Sequence, residues 1–209
     1  MRDEIKTKLV GFFILLCGVP LWAQYADALS EYRKGNYLAA VEICQKEIAE
    51  NQDNIESHVV ICWSFLKLGR YTEAAEYASA VARKARYDVR VIEILGEIDY
   101  FQGRNSTALQ YFQEYVNLAP EGQRIDMVYY YMGEIYIRLG RFRHADIAIS
   151  TALHYVPNSA HWWARIGYIR EMLGENREAL RAYNQALELN ASLTDARRGQ
   201  ERLRSTLTQ

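Results

Sequence analysis

Proline is scarce, with three residues in 209, at positions 20, 120 and 157, so helices meet almost no backbone obstacle. Charge of one sign is missing too. A formal net charge of −1 gives no basic field for nucleic acid and no acidic tail, which leaves any charged partner to a local patch. Cysteine occurs three times and never as CxxC, so Cys44 and Cys62 read either as small core residues or as a disulfide pair in an oxidising compartment. The glycines are spread out rather than clustered, which excludes a phosphate loop, and no GxSxG elbow is present. His58, His144, His154 and His161 are scattered, without the spacing to a carboxylate that a metal site needs. These gaps speak against an enzyme, and no cofactor or metal is expected. Strand-like alternation is also missing, which points to an all-α chain.

The N-terminus differs from the rest. MRDEIKTK precedes an uncharged run, LVGFFILLCGVPLWA, from Leu9 to Ala23. Fifteen residues are short for a membrane span of about 20 and fit the core of a secretory signal cut after Ala23. Residues 1–23 are therefore expected to be a signal peptide or an uncleaved anchor. Cys17 offers a third possibility, lipidation, but the residue just before it is Leu16 and not a small one. Export to a periplasm or cell envelope is the expected localisation. The membrane would be met only through an uncleaved or lipidated N-terminus.

What is abundant is repetition. GNYLAA, GRYTEA, GRNSTA, GRFRHA and GENREA begin at Gly35, Gly69, Gly103, Gly140 and Gly174, at steps of 34, 34, 37 and 34 residues. A period of this size argues for a stacked array. Five residues after each glycine stands an alanine: Ala40, Ala74, Ala108, Ala145 and Ala179. Seven before it stands Ala28, Cys62, Gly96, Gly133 or Gly167, so two helices can cross closely. The glycine suits the left-handed residue that ends a helix. Tyr37, Tyr71 and Phe142 follow two residues later as wedges between units, whereas Asn105 and Asn176 at the same place read as helix N-caps. Pro120 and Pro157 stop the second helices, and the three extra residues of the long step fall in PEGQRID, a surface loop.

Each unit is thus helix, tight turn, helix. The first helices are expected at about 24–34, 56–68, 90–102, 125–139 and 159–173, and the second at about 37–50, 71–84, 105–118, 142–155 and 176–189. The last stretch, with Leu193, Ala196 and Leu203 among many charges, suits a one-sided helix closing a stack. Arg197, Arg198, Arg202 and Arg204 read there as a solvated cap face rather than a nucleic-acid site.

The 34-residue helix pair, with its small–Gly–aromatic–Ala spacing, resembles the tetratricopeptide repeat over about residues 24–191. The resemblance implies a right-handed α-solenoid of five helix-turn-helix repeats, about 24–54, 55–88, 89–122, 123–158 and 159–191, with a C-terminal capping helix at 192–209. It also implies a concave groove, lined by the first helices, that commonly binds peptides or protein partners. Residues about ten, six and three before each glycine would line it. That face reads Tyr25, Leu29 and Tyr32; Val59, Trp63 and Leu66; Glu93, Glu97 and Tyr100; Tyr130, Glu134 and Ile137; then Ala164, Tyr168 and Glu171. Core packing is the rival reading for Trp63 and Tyr32. Of the two adjacent tryptophans, Trp163 is expected to be buried and Trp162 exposed.

Glu93, Glu97 and Glu134 could receive a Lys- or Arg-bearing segment of a partner, unless Arg90 and Arg138 already neutralise them. The Lys and Asn with which some members of the family bind a C-terminal carboxylate are absent from these positions. The expected function is a protein–protein interaction scaffold whose groove takes a partner segment or helix. A self-assembling subunit, and a carrier of a small hydrophobic ligand held by Trp63 and the Tyr rows, are the alternatives.

Overall fold

The structure, a computed structural model, describes residues 27–207. The leader at 1–23 with Cys17, the groove candidate Tyr25 and residues 208–209 lie outside the described residues. Within them eleven helices follow one another, with no strand. Five pairs are α1 (Ala28–Arg33) with α2 (Tyr37–Glu50), α3 (Ile55–Lys67) with α4 (Tyr71–Ala82), α5 (Val89–Phe101) with α6 (Asn105–Leu118), α7 (Ile125–Arg138) with α8 (Phe142–Tyr155), and α9 (Ala160–Met172) with α10 (Asn176–Leu189). The last helix, α11 (Thr194–Leu207), packs on α10 and α9. It takes the place that the first helix of a sixth pair would occupy.

Each pair turns by the same device. Gly35, Gly69, Gly103, Gly140 and Gly174 all have φ between 68° and 84°. The amide after each glycine donates to the carbonyl five residues back: Asn36 to Glu31, Arg70 to Phe65, Arg104 to Asp99, Arg141 to Tyr136 and Glu175 to Arg170, at 2.8–2.9 Å. This Schellman closure satisfies the helix's last carbonyls and needs a left-handed residue, which glycine adopts without steric penalty. It also corrects the reading of Asn105 and Asn176. The turn leaves the cap position to Arg104 and Glu175, which make no side-chain cap bond, and each asparagine is the first helical residue. Side-chain caps belong to the first helices instead, where Asp27, Asn54, Asp88 and Ser159 accept from Leu29, Ser57, Arg90 and Trp162 amides.

In the last three pairs the two helices meet where a ring or branched chain lies on a glycine. A Cβ at Gly96 would come within 2.6 Å of Phe112, and one at Gly133 within 2.5 Å of Ile149. At Gly167 it would come within 2.7 Å of Tyr183. Phe112, Ile149 and Tyr183 are fully or almost fully buried as a result. Burial of such a side chain contributes about 1.5–3 kcal/mol each, so the stack is held by a row of similar contacts between neighbours. Between pairs, Tyr71 stacks flat on Phe101 with ring centroids 4.7 Å apart.

Cys44 and Cys62 are both buried and unbridged, and the Cys62 thiol donates to the Ala74 carbonyl at 3.4 Å. Burial pushes each thiol up to about 12. The adjacent tryptophans reverse their expected roles. Trp162 is buried and stacked on Tyr130, with centroids 5.2 Å apart, while Trp163 is only half-buried and donates its ring N–H to the Pro157 carbonyl at 2.8 Å.

Candidate functional site

The first helices α1, α3, α5, α7 and α9 line one face of the stack, and two basins open on it. The first, of about 330 Å³, is lined by Tyr32, Trp63, Leu66, Lys67, Val89, Arg90, Glu93, Glu97, Tyr115, Gly122, Gln123 and Arg124. Its wall begins with Tyr32 of α1 and Trp63 of α3, whose rings lie 5.8 Å apart, and continues through Leu66, Val89 and Tyr115. The second, of about 470 Å³, lies between α7, α9 and α11 and includes Glu134, His161, Arg165, Tyr168, Arg198 and Arg202.

Five residues expected in the groove, Tyr32, Trp63, Leu66, Glu93 and Glu97, meet at the first basin. Ala164, Glu134 and Tyr168 line the second. Others line neither. Val59 is 1% exposed and belongs to the core, because α3 is covered by neighbours on nearly every side. Tyr100 is buried beneath Arg138, whose guanidinium lies 4.0 Å over the ring. Tyr130 is engaged with Trp162, and Leu29 is half-buried against the first core cluster. Ile137 is half-buried against the third cluster.

The floor of the first basin is ionic, and it is closed by a residue from the 120–126 loop, which is therefore not the plain surface loop expected from its composition. The three extra residues of the long step lengthen the connection from α6 to α7. The loop folds inward at Gly122, where a Cβ would meet the Tyr115 hydroxyl at 2.4 Å. That hydroxyl accepts the Arg124 amide at 3.2 Å, and the Arg124 side chain reaches across to α5. Its Nε donates to Glu93 at 2.8 Å and its Nη2 to Glu97. The Glu93 side chain is 2% exposed, Glu97 8% and Arg124 41%, so two buried carboxylates share one half-covered cation.

Burial, and then the neighbouring Glu93 charge, raise Glu97 to about 8 despite Arg124. Burial works against the Arg124 charge, but Glu93 and Glu97 outweigh it and hold the guanidinium above its usual range. Near neutral pH Glu97 therefore tends to keep its proton beside the charged guanidinium.

Arg90 and Arg138, the cations that the sequence suggested for the groove carboxylates, act elsewhere. Arg90 pairs with Asp88 and Glu56, and Arg138 donates to the Tyr100 carbonyl and to Asn105. Glu134 is held by Arg165 through two bonds of 2.6 and 2.8 Å, a bidentate fork of the kind that fixes geometry. Glu171 accepts from Arg202 and from the Tyr183 hydroxyl at 2.8 Å. Every carboxylate expected to greet a basic partner is thus engaged by an arginine of the chain itself.

An array of helix pairs with a lined inner face and one terminal helix defines a helical-repeat protein. The chain belongs to the tetratricopeptide repeat family: the model of that family, described as Tetratricopeptide repeat, matches residues 62–122 and 130–199. Proteins of this family are generally non-enzymatic scaffolds that bind protein partners. A curated relative, the BBSome complex member BBS4 homolog of Drosophila melanogaster, is 24% identical over 168 residues, 77% of this chain and 35% of that protein. The chain thus spans about a third of the length of the curated relative it matches. Among solved structures, the Cut9–Hcn1 hetero-tetramer of APC/C is similar with a TM-score of 0.76 at 18% identity, covering 84% of this chain and 35% of that one. MamA is similar at 0.67 and 20% identity, over 80% and 96% of the two chains. A thermophilic tetratricopeptide repeat protein of Thermus thermophilus follows at 0.61 and 21%, over 87% and 96%. At such identities these structures share the fold alone.

Proposed function

We propose that the chain is a non-catalytic interaction scaffold that seats a segment of a partner protein along its inner face, with the first basin as the principal seat. The observation that carries this is the apolar wall of Tyr32, Trp63, Leu66, Val89 and Tyr115 around a recess of about 330 Å³. A concave, mostly apolar surface with a few fixed polar groups is the usual form of a binding site, and aromatic side chains supply contact area with a polar tip. Glu97, with its raised pKa, would be the candidate for acid–base chemistry. The open basin and the bridging Arg124 suit a structural cluster better, because general-base work needs a closed pocket and a free carboxylate.

A photo-crosslinking residue at position 63 is expected to trap a partner in cells, while the same residue at exposed Leu38 on α2 should trap far less. Equal yields at the two positions would remove the groove reading.

We further infer that the chain is exported, its basis being the sequence of residues 1–23 with the uncharged run from Leu9 to Ala23. Terminal sequencing of the protein recovered from cells should then begin at Gln24. An intact Met1 with all of the protein in the cytoplasm would overturn it.

A further inference from the structure

We infer that the first basin selects a segment carrying a bulky apolar or aromatic side chain next to a carboxylate, the side chain entering beside Tyr32, Trp63 and Leu66 and the carboxylate meeting Lys67 and the outer edge of Arg124. This rests on the groove reading and reverses the charge preference that the sequence suggested.

The two acids that line the basin, Glu93 and Glu97, are buried and both bonded to Arg124, so an incoming Lys or Arg would have to share carboxylates that already hold a cation. The cations that line it are Lys67, Arg90 and Arg124. Arg90 is engaged by Asp88 and Glu56, and these two carboxylates do not line the basin. Arg124 spends Nε on Glu93 and Nη2 on Glu97, which leaves Nη1 outside that bridge on a side chain that is 41% exposed. Lys67 is exposed at the C-terminal end of α3 and forms no ion pair among the described residues. What remains open in the basin is donor capacity and positive charge, set against an apolar wall.

A basic segment would bring like charge to Lys67 and Arg124 and find its counter-ions already taken. An acidic one gains two charge-assisted bonds without breaking the Arg124 bridge. The volume is at the low end for ligand recesses, which suits one large side chain and its flanking backbone rather than a docked helix.

The test uses the full chain and three labelled peptides, GSDWESG, GSNWQSG and GSKWRSG, followed by fluorescence anisotropy at low and high salt. The acidic peptide is expected to bind about tenfold more tightly than the basic one, with the gap closing as salt screens it. Lys67→Glu should reverse that order and leave the neutral peptide unchanged. Equal affinities, tighter binding of the basic peptide, no binding of any peptide, or a silent Lys67→Glu would each overturn the inference. If crosslinking from position 63 survives such a result, the groove reading stands and only the charge preference falls. If crosslinking is lost as well, both fall.

Discussion

Replacing Arg124 by methionine is expected to destabilise the fold by about 3 kcal/mol near pH 9 and by much less near pH 5. Removing one partner of a buried ion pair typically costs about 3–5 kcal/mol because the other charge stays buried, and Arg124 is exposed enough to put the loss at the low end. The sign of the pH dependence follows from Glu97. Its folded pKa, about 8, lies above the ordinary carboxylate value of 4.5. Its proton therefore favours the fold fully below 4.5, and that contribution is lost as pH rises through 8. With Arg124 present, the alkaline cluster still holds one cation against two carboxylates. Without it, a Glu97 that has lost its proton lies buried beside Glu93 with no cation bonded to either. At pH 5 Glu97 keeps its proton and can donate it to Glu93, so less is lost. Urea unfolding of the two proteins at three pH values measures this directly, and a loss of the same size at every pH would sink the account.

Gly167→Val is expected to remove about 2–3 kcal/mol and to loosen the C-terminal end first. Tyr183 lies between two glycines, Gly167 of α9 and Gly199 of α11. A Cβ on the first would come within 2.7 Å of the ring, and one on the second within 2.3 Å. The ring cannot retreat from one glycine without approaching the other, and its hydroxyl is tied to Glu171 at 2.8 Å. Replacing a helical glycine by a better helix former gains up to about 1 kcal/mol. Overpacking a site with no room to relax costs about 1–3 kcal/mol, and the β-branched side chain adds to that. Hydrogen exchange should show the amides of α11 losing protection before those of α3 and α5. A variant with unchanged exchange in α11 would show that the ring has another way out.

The period of the sequence made most of the scaffold legible. A glycine that recurs with an alanine five places on and a small residue seven places before is both the turn and the crossing point, and those positions carry the positive φ values and the tight ring contacts. The inner face was legible only in part. Helical spacing says which residues share a side, so it found Tyr32, Trp63, Leu66, Glu93 and Glu97. It does not say how deeply each is covered, and Val59, on the same side, is core because α3 has neighbours all around. Neither could it show that a loop folds over that side. The signal for Arg124 was present in hindsight: a step three residues too long, ending in an arginine, opposite two glutamates four residues apart that needed a counter-charge. Trp162 and Trp163 could not be told apart because polar and apolar residues alternate on every side of α9, so its pattern does not choose a buried face.

The two buried thiols carry one more consequence. Cys44 and Cys62 sit in the first two helix pairs, and at about 12 their titration leaves almost no thiolate at physiological pH. Oxidants and alkylating reagents can reach them only in the moments when those pairs open. They are therefore internal timekeepers: the rate at which a thiol reagent modifies these two sites, followed by peptide mapping, reads the breathing of one end of the stack, without any label having been introduced.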